Sequence, residues 1–186
     1  MDDDLLRVLP PGMVRTQYTQ QPESIQMVSM HENKFVSFYE KSAIATFGLD
    51  ACSVIMIASD QGAILAHIPP LPGRTRHPLA GDTYAQHMMN RVRDLFEHFQ
   101  AQGFFPVAAS TILYAILRGE RESIIESQIQ IMRNTFRAMG LASTREIIYD
   151  IPVDRSQLGN GTILIRFRGR GLYPEVLIQD HAVSLF

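Results

Sequence analysis

The sequence predicts an α+β layered domain: a mostly antiparallel β-sheet or sandwich with two long helices packed on one side. Three observations carry this. Two segments place apolar residues at i, i+3 and i+4, the spacing of one helical face. About eight short runs rich in β-branched and aromatic residues are bounded by Gly, Pro, Asn and Asp, as strands are. The helices stand apart from the strands, five of which precede the first helix and three of which follow the second, the segregated order of α+β rather than α/β folds.

In chain order, residues 1–24 contain Pro10-Pro11-Gly12 and a Gln/Thr-rich run to Pro22 without periodicity, and read as an extended N-terminal arm. Residues 25–186 read as one folded unit. Strands are expected over Ile25–Met30, Lys34–Tyr39, Ala43–Phe47, Ser53–Ala58 and Ala63–Ile68, closed by the rigid stretch Pro69-Pro70-Leu71-Pro72-Gly73. The first helix should begin with Asp82 or Thr83 as cap and run to Gln100, with Tyr84, Met88, Val92, Leu95, Phe96 and Phe99 on one face. Phe104–Leu117 reads as a buried strand ending in a helical turn. The second helix spans Glu122–Met139, with Ile125, Ile129, Met132 and Phe136 inward and Gly140 as its stop. Three strands close the chain: Glu146–Ile151, Thr162–Phe167 and Glu175–Gln179.

The 186 residues are 46% hydrophobic and 19% charged, an ordinary globular composition with enough length for a full core. A net charge of −2 gives no basic field to recruit nucleic acid or an anionic membrane. No apolar run reaches the roughly 18 residues that span a bilayer. The acidic start Met1-Asp2-Asp3-Asp4 lacks a secretion signal, and one cysteine cannot form an internal disulfide. These features suit a cytosolic or nuclear protein, so the Asn160-Gly161-Thr162 glycosylation sequon carries little weight.

The single cysteine, Cys52, precedes an apolar strand, and His67 lies in the apolar segment beyond the turn Asp60-Gln61-Gly62. A thiol attacks as thiolate, and a nearby imidazole is a common means of producing it. Taken alone, each has a plainer role: free cysteine is among the most buried residue types, and a histidine between Ala66 and Ile68 is ordinarily a hydrogen-bonded core residue. A hairpin turning at Asp60-Gln61 is expected to set His67 opposite Met56 or Ile55. That would leave it roughly 10–14 Å along the strand from Cys52, so the pair can meet only if Cys52 sits on a bent or bulged entry, which Gly48 permits, or if the segments are not simple neighbours. Arg166, Arg168 and Arg170 alternate with apolar residues as one strand face, while Arg74, Arg76 and His77 sit in the Pro-rich loop where they could steer a substrate. The spacing of His31, His77, His87, His98 and His181 matches no metal motif, so no metal site is expected. Phosphate-loop, dinucleotide and serine-elbow motifs are absent from the sequence.

The block Thr46-Phe47-Gly48-Leu49-Asp50-Ala51-Cys52 … Ala66-His67-Ile68-Pro69 resembles the bacterial chemoreceptor glutamine deamidase family, CheD, within the superfamily that includes the cytotoxic necrotizing factor toxins. That family reads approximately Thr-x-Gly-Leu-Gly-Ser-Cys … Ala-His-x-x-Leu-Pro. The spacings here, 67 − 52 = 15 and 52 − 46 = 6, fall within its habits. Gly81-Asp82-Thr83-Tyr84-Ala85, Gly119-Glu120-Arg121-Glu122 and the Gly159–Phe167 segment resemble later family motifs in the same order, so the likeness covers roughly residues 25–180. It departs at Asp50-Ala51, at Ala108-Ala109 and around Ile151–Asp154, where the family carries glycines that let backbone approach a substrate.

The resemblance implies a Cys52 nucleophile, a His67 base and a Thr46 that orients the imidazole, with backbone amides around Ala51 and Ser53 holding an oxyanion. The reaction would convert a side-chain amide of a substrate protein to glutamate plus ammonia, without metal or organic cofactor. The missing glycines leave a second reading open, a non-catalytic module of the same fold that binds a partner protein.

Overall fold

A computed structural model of the chain describes residues 12–116, 125–141, 144–151 and 161–184. In order these form helix α1 (Met13–Gln20), a 3-10 turn (Pro22–Ser24), and strands β1 (Ile25–Met27), β2 (Asn33–Ser37), β3 (Ala43–Thr46), β4 (Ser53–Ala58) and β5 (Gly62–Ile68). Helix α2 (Ala80–Ala101), β6 (Ala109–Ile116), α3 (Glu126–Ala138), β7 (Arg145–Asp150), β8 (Ile163–Arg166), β9 (Glu175–Ile178) and β10 (His181–Val183) follow.

The strands make two five-stranded sheets, one in the order β1-β3-β8-β9-β10 and the other β2-β5-β4-β6-β7. Pairing is antiparallel except at β1–β3 and β6–β7. The α+β layered class is therefore observed, with α2 and α3 together on one side.

Alternation along the strands explains the layering. Ile44 of β3, Val54 and Met56 of β4, Leu65 of β5, Leu113 of β6 and Ile165 of β8 fill the space between the sheets. The intervening Ile55, Ile57, Ile64, Ala66 and Ile112 point the other way, onto Met88, Met89, Val92 and Phe96 of α2 and Ile129, Met132 and Phe136 of α3. Every residue of β4 and β5 is buried because both faces of these strands are covered. Their unbroken apolar runs follow from that two-sided cover, which removes the polar half of an alternating strand. The outer face of the first sheet carries a smaller cluster of Ile25, Ala43, Ala45, Leu164 and Leu177.

The expected arm is corrected where it is described. Residues 13–20 are helical, and Tyr18 packs edge-on against Phe47, with ring centroids 5.7 Å apart. Gly12 N–H also donates to the Asp180 carboxylate at 2.7 Å. Contact with the outer sheet face, invisible in the local sequence pattern, stabilises this helix. Helix α2 starts at Ala80 with no side-chain cap, and Asp82 instead accepts a hydrogen bond from Ser127 Oγ of α3 at 2.7 Å. No helical turn ends β6, which stays a strand through Ile116 between β4 and β7. The start of the expected second helix, residues 122–124, and the Gly119–Glu122 motif lie outside the described residues.

Candidate active site

All three candidate residues lie at one end of the sandwich. β4 begins there, β3 and β5 end there, and the loop 47–52 links β3 to β4. Thr46 shares its strand face with Ile44, and His67 shares its face with Leu65. The two therefore face each other across the layer between the sheets. Thr46 Oγ1 lies 2.8 Å from His67 Nδ1, and 2.8 Å from the Val28 carbonyl oxygen.

This pair of bonds fixes the histidine tautomer. A hydroxyl carries one proton and a carbonyl only accepts, so the Thr46 O–H donates to Val28. Thr46 must then accept from His67, which places the ring proton on Nδ1 and leaves Nε2 with its lone pair. Nε2 is buried and has no hydrogen-bond partner among the described residues. Buried polar atoms are ordinarily satisfied, so an orphan at this position calls for an explanation.

The main chain around His67 is equally constrained. Its N–H donates to Glu32 O and its C=O accepts from His31 N–H, both at 3.0 Å. His31 adopts a left-handed φ of 72° to do so, and its Nδ1 lies 2.7 Å from the Tyr84 hydroxyl of α2. The loop before β2 thus clamps the strand that carries the imidazole.

The expected hairpin register is corrected. Ala58 pairs with Ala63 around the turn, so His67 faces Val54 rather than Met56 or Ile55. The hairpin closes directly across Asp60-Gln61, with Ser59 N–H bonded to Gly62 O at 3.0 Å. Cys52 stands just ahead of β4, two residues before the Val54 that pairs with His67, so the offset is two residues rather than three or four. No long separation along the strand has to be bridged.

Cys52 is reached through a bend: Gly48 has φ 75° and Ala51 has φ 59°. A left-handed alanine costs about 1–2 kcal/mol, and such strain immediately before a candidate nucleophile is characteristic of reactive turns. The loop is held by Leu49 N–H on Gly161 O at 3.1 Å and by the Tyr149 hydroxyl of β7, which donates to Cys52 O at 2.6 Å. Ser53 pairs with Ile68, and because the polar backbone groups of His67 face β2, strand alternation turns those of Ile68 toward Ser53. The Ser53 amide therefore belongs to the sheet ladder and is not available as an oxyanion donor.

No hydrogen bond joins the Cys52 sulfur to the His67 imidazole. Cys52 Sγ contacts the Asp50 carbonyl at 3.6 Å, and His67 Nε2 remains free. Cys52, His67 and Thr46 are 3%, 1% and 0% exposed, so all three side chains are buried. Burial pushes the Cys52 thiol up, and the Asp50 charge adds to it against the bond from Sγ to Asp50 O. Burial, reinforced by repulsion from His31, brings His67 down to about 4. At neutral pH the pair is thiol and imidazole, not thiolate and imidazolium.

Residues outside the expected triad complete the site. Val28 and Tyr149 contribute through a carbonyl and a hydroxyl, and neither stands in a pattern that local sequence could flag. Of the arginine face, Arg166 closes β8 on a salt bridge to Glu175, while Arg170 follows the strand and stacks over Tyr39. Among the described residues no three His, Cys, Asp or Glu side chains converge as a metal site, and no helix is long and apolar enough to cross a membrane.

Fold and site together define a class: a two-sheet domain backed by helices, with a tautomer-locked histidine and a buried cysteine at the same sheet end. Compared with known families and with curated proteins, the chain matches no family profile and no individual sequence.

Proposed function

We propose that the protein is a cysteine-dependent protein glutamine deamidase of the CheD-like kind. The observation that carries this reading is Nε2 of His67, buried without a partner among the described residues on a neutral imidazole whose other nitrogen is held by Thr46, at the same end of the sandwich as the only thiol in the chain.

The chemistry follows from the resting protonation. Because the thiol is raised and the imidazole lowered, His67 acts as a general base during attack rather than in a preformed ion pair. As the Cys52 Sγ–carbon bond forms at the substrate carboxamide, the thiol proton passes to Nε2. The carbonyl electrons move onto oxygen, which the Ala51 amide stabilises. Imidazolium then protonates the departing nitrogen, ammonia leaves, and a thioester remains. Water, deprotonated by His67, hydrolyses it to glutamate and restores the thiol. Thr46 stabilises the transient charge by keeping Nδ1–H engaged. A protein substrate and a reducing, cytoplasmic setting belong to the same reading, since a lone thiol nucleophile needs both a carboxamide to attack and protection from oxidation.

The test uses glutamine-bearing peptides and casein, read by ammonia release and by the roughly 1 Da mass gain that replaces an amide nitrogen with oxygen. Wild type should produce both signals, and Cys52→Ala and His67→Ala should produce neither. Absence of both signals from wild type across pH 5–9 would sink the proposal. One observation favours the alternative, a partner-binding module of the same fold: the resting thiol is raised and makes no bond to the imidazole. Such a module would bind a protein without consuming any amide.

A further inference from the structure

We infer that the loop from Leu71 to Leu79 is the docking element for the substrate, and that it selects a protein segment carrying acidic residues beside the target glutamine. This inference rests on the deamidase reading for its location and on independent features for its chemistry. The loop leaves β5 four residues after His67 (71 − 67 = 4) and leads straight into α2, so it stands at the end of the sandwich where Cys52 and His67 lie.

All nine of its residues are exposed. Between Pro69 and Leu79 there is no aspartate or glutamate, whereas Arg74, Arg76 and His77 are present, in a chain of net charge −2. Among the described residues neither guanidinium has a carboxylate partner, unlike Arg93, Arg133 and Arg166, which all do. Two unpaired cations in an acidic chain form a local field that attracts carboxylates. Leu71 and Leu79 flank them at 46% and 57% exposure, and Met30 of the adjoining loop is 50% exposed. Apolar side chains on either side of a basic centre fit a peptide with carboxylates and at least one apolar residue.

The loop has a fixed shape to present. At its root, Gln128 Nε2 of α3 donates to Pro70 O at 2.9 Å. Gly81 makes that bond possible, because a Cβ there would meet Gln128 Nε2 at 2.3 Å and Pro70 O at 2.5 Å. Further along, His77 N–H donates to Thr75 Oγ1 at 3.1 Å, Leu79 N–H donates to His77 Nδ1 at 3.3 Å, and Ala80 N–H closes on His77 O at 3.1 Å. A loop held in this way loses less freedom when it binds, which preserves affinity for a short segment.

The experiment uses three fluorescein-labelled dodecapeptides with one central glutamine and one leucine, flanked by glutamate, serine or lysine. Fluorescence polarisation with the full-length Cys52→Ala protein measures binding without turnover, and ammonia release from wild type measures reaction. The glutamate peptide should bind about three- to tenfold more tightly than the serine peptide at low salt, the scale of two exposed charge pairs, and lose that advantage at high salt. Arg74→Glu/Arg76→Glu should reverse the order in favour of the lysine peptide, while leaving turnover of a dipeptide amide too short to reach the loop unchanged. Binding that follows this order with no ammonia from any peptide would remove the deamidase reading and leave the docking surface standing. Ammonia release with an order untouched by charge reversal, no binding of the glutamate peptide, or equal binding of a labelled oligonucleotide would each overturn the docking inference.

Discussion

The Thr46 hydroxyl and the Nδ1 of His67 are 2.8 Å apart, and because the hydroxyl proton is committed to Val28 O, the imidazole is held in the Nδ1–H tautomer. Thr46→Val keeps the shape of the side chain and removes both bonds. It should cost about 1–3 kcal/mol through the buried groups left unpaired, and turnover should fall further than binding. Thr46→Ser should restore both. Nitrogen-15 NMR of the ring reads the tautomer directly, and an unchanged Nδ1–H signature in Thr46→Val would contradict the assignment.

Stability should fall between pH 6.5 and about 4. In the unfolded chain His67 takes up a proton near 6.5, whereas burial holds the folded imidazole neutral down to about 4. The unfolded state therefore binds more protons in that window, and the stability contribution, fully present above 6.5, is lost as pH drops through it. The loss should reach at most about 3 kcal/mol. Chemical denaturation at pH 7 and pH 4.5 measures it, and His67→Gln should lose this component of the slope. An identical slope in the two proteins would assign the acid sensitivity elsewhere.

Cys52 should resist alkylation. Its thiol is buried and pushed above the ordinary thiol range, so iodoacetamide should react more slowly than with a free thiol at pH 7, and the rate should climb only above pH 9. A plateau below pH 8 would reveal a preformed thiolate and overturn the general-base route. Cys52→Ser should melt within about 1 kcal/mol of wild type, because the new hydroxyl can donate to the Asp50 carbonyl that the thiol already contacts.

The fold class and the strand positions were legible because their signals are local. Met88, Val92 and Phe96 recur at helical spacing, and β4 and β5 are apolar runs bounded by turns. Helix α1 was not legible, since its stripe is weak and Tyr18 becomes apolar contact only when Phe47 arrives from another strand. The meeting of Thr46 with His67 was implied by the family resemblance, but the geometry depends on which faces two sheets turn toward each other, and no periodicity within one strand reports that. The roles of Val28 and Tyr149 run through a carbonyl and a long-range hydroxyl, which leave no trace in residue pattern.

Ala51→Gly should stabilise the protein slightly. The left-handed φ of 59° strains an alanine, and glycine removes that strain while adding freedom to the unfolded chain. The two effects largely offset, leaving a gain of about 0–1 kcal/mol. If the strain helps to hold the Cys52 approach, turnover should fall in the same variant although its melting temperature does not. A clear loss of stability would show that the Ala51 methyl group packs in a way the backbone argument omits.

Tyr149→Phe tests whether the Cys52 peptide must be held. The hydroxyl donates to Cys52 O at 2.6 Å from the edge strand β7, and both groups are buried. Burial raises the phenol, with the neighbouring Cys52 and Asp50 adding to it, so it remains a donor across the working pH range. Phenylalanine keeps the ring packing and leaves the Cys52 carbonyl without this partner, a cost of about 1–3 kcal/mol. Because Tyr149 acts through the backbone and not on the reacting atoms, kcat should drop while KM for a glutamine peptide stays near wild type. The loosened peptide should also let iodoacetamide reach Cys52 faster. A variant that melts lower yet keeps both its alkylation rate and its kcat would reduce Tyr149 to a packing residue, and the fixed Cys52 peptide would no longer be part of the mechanism.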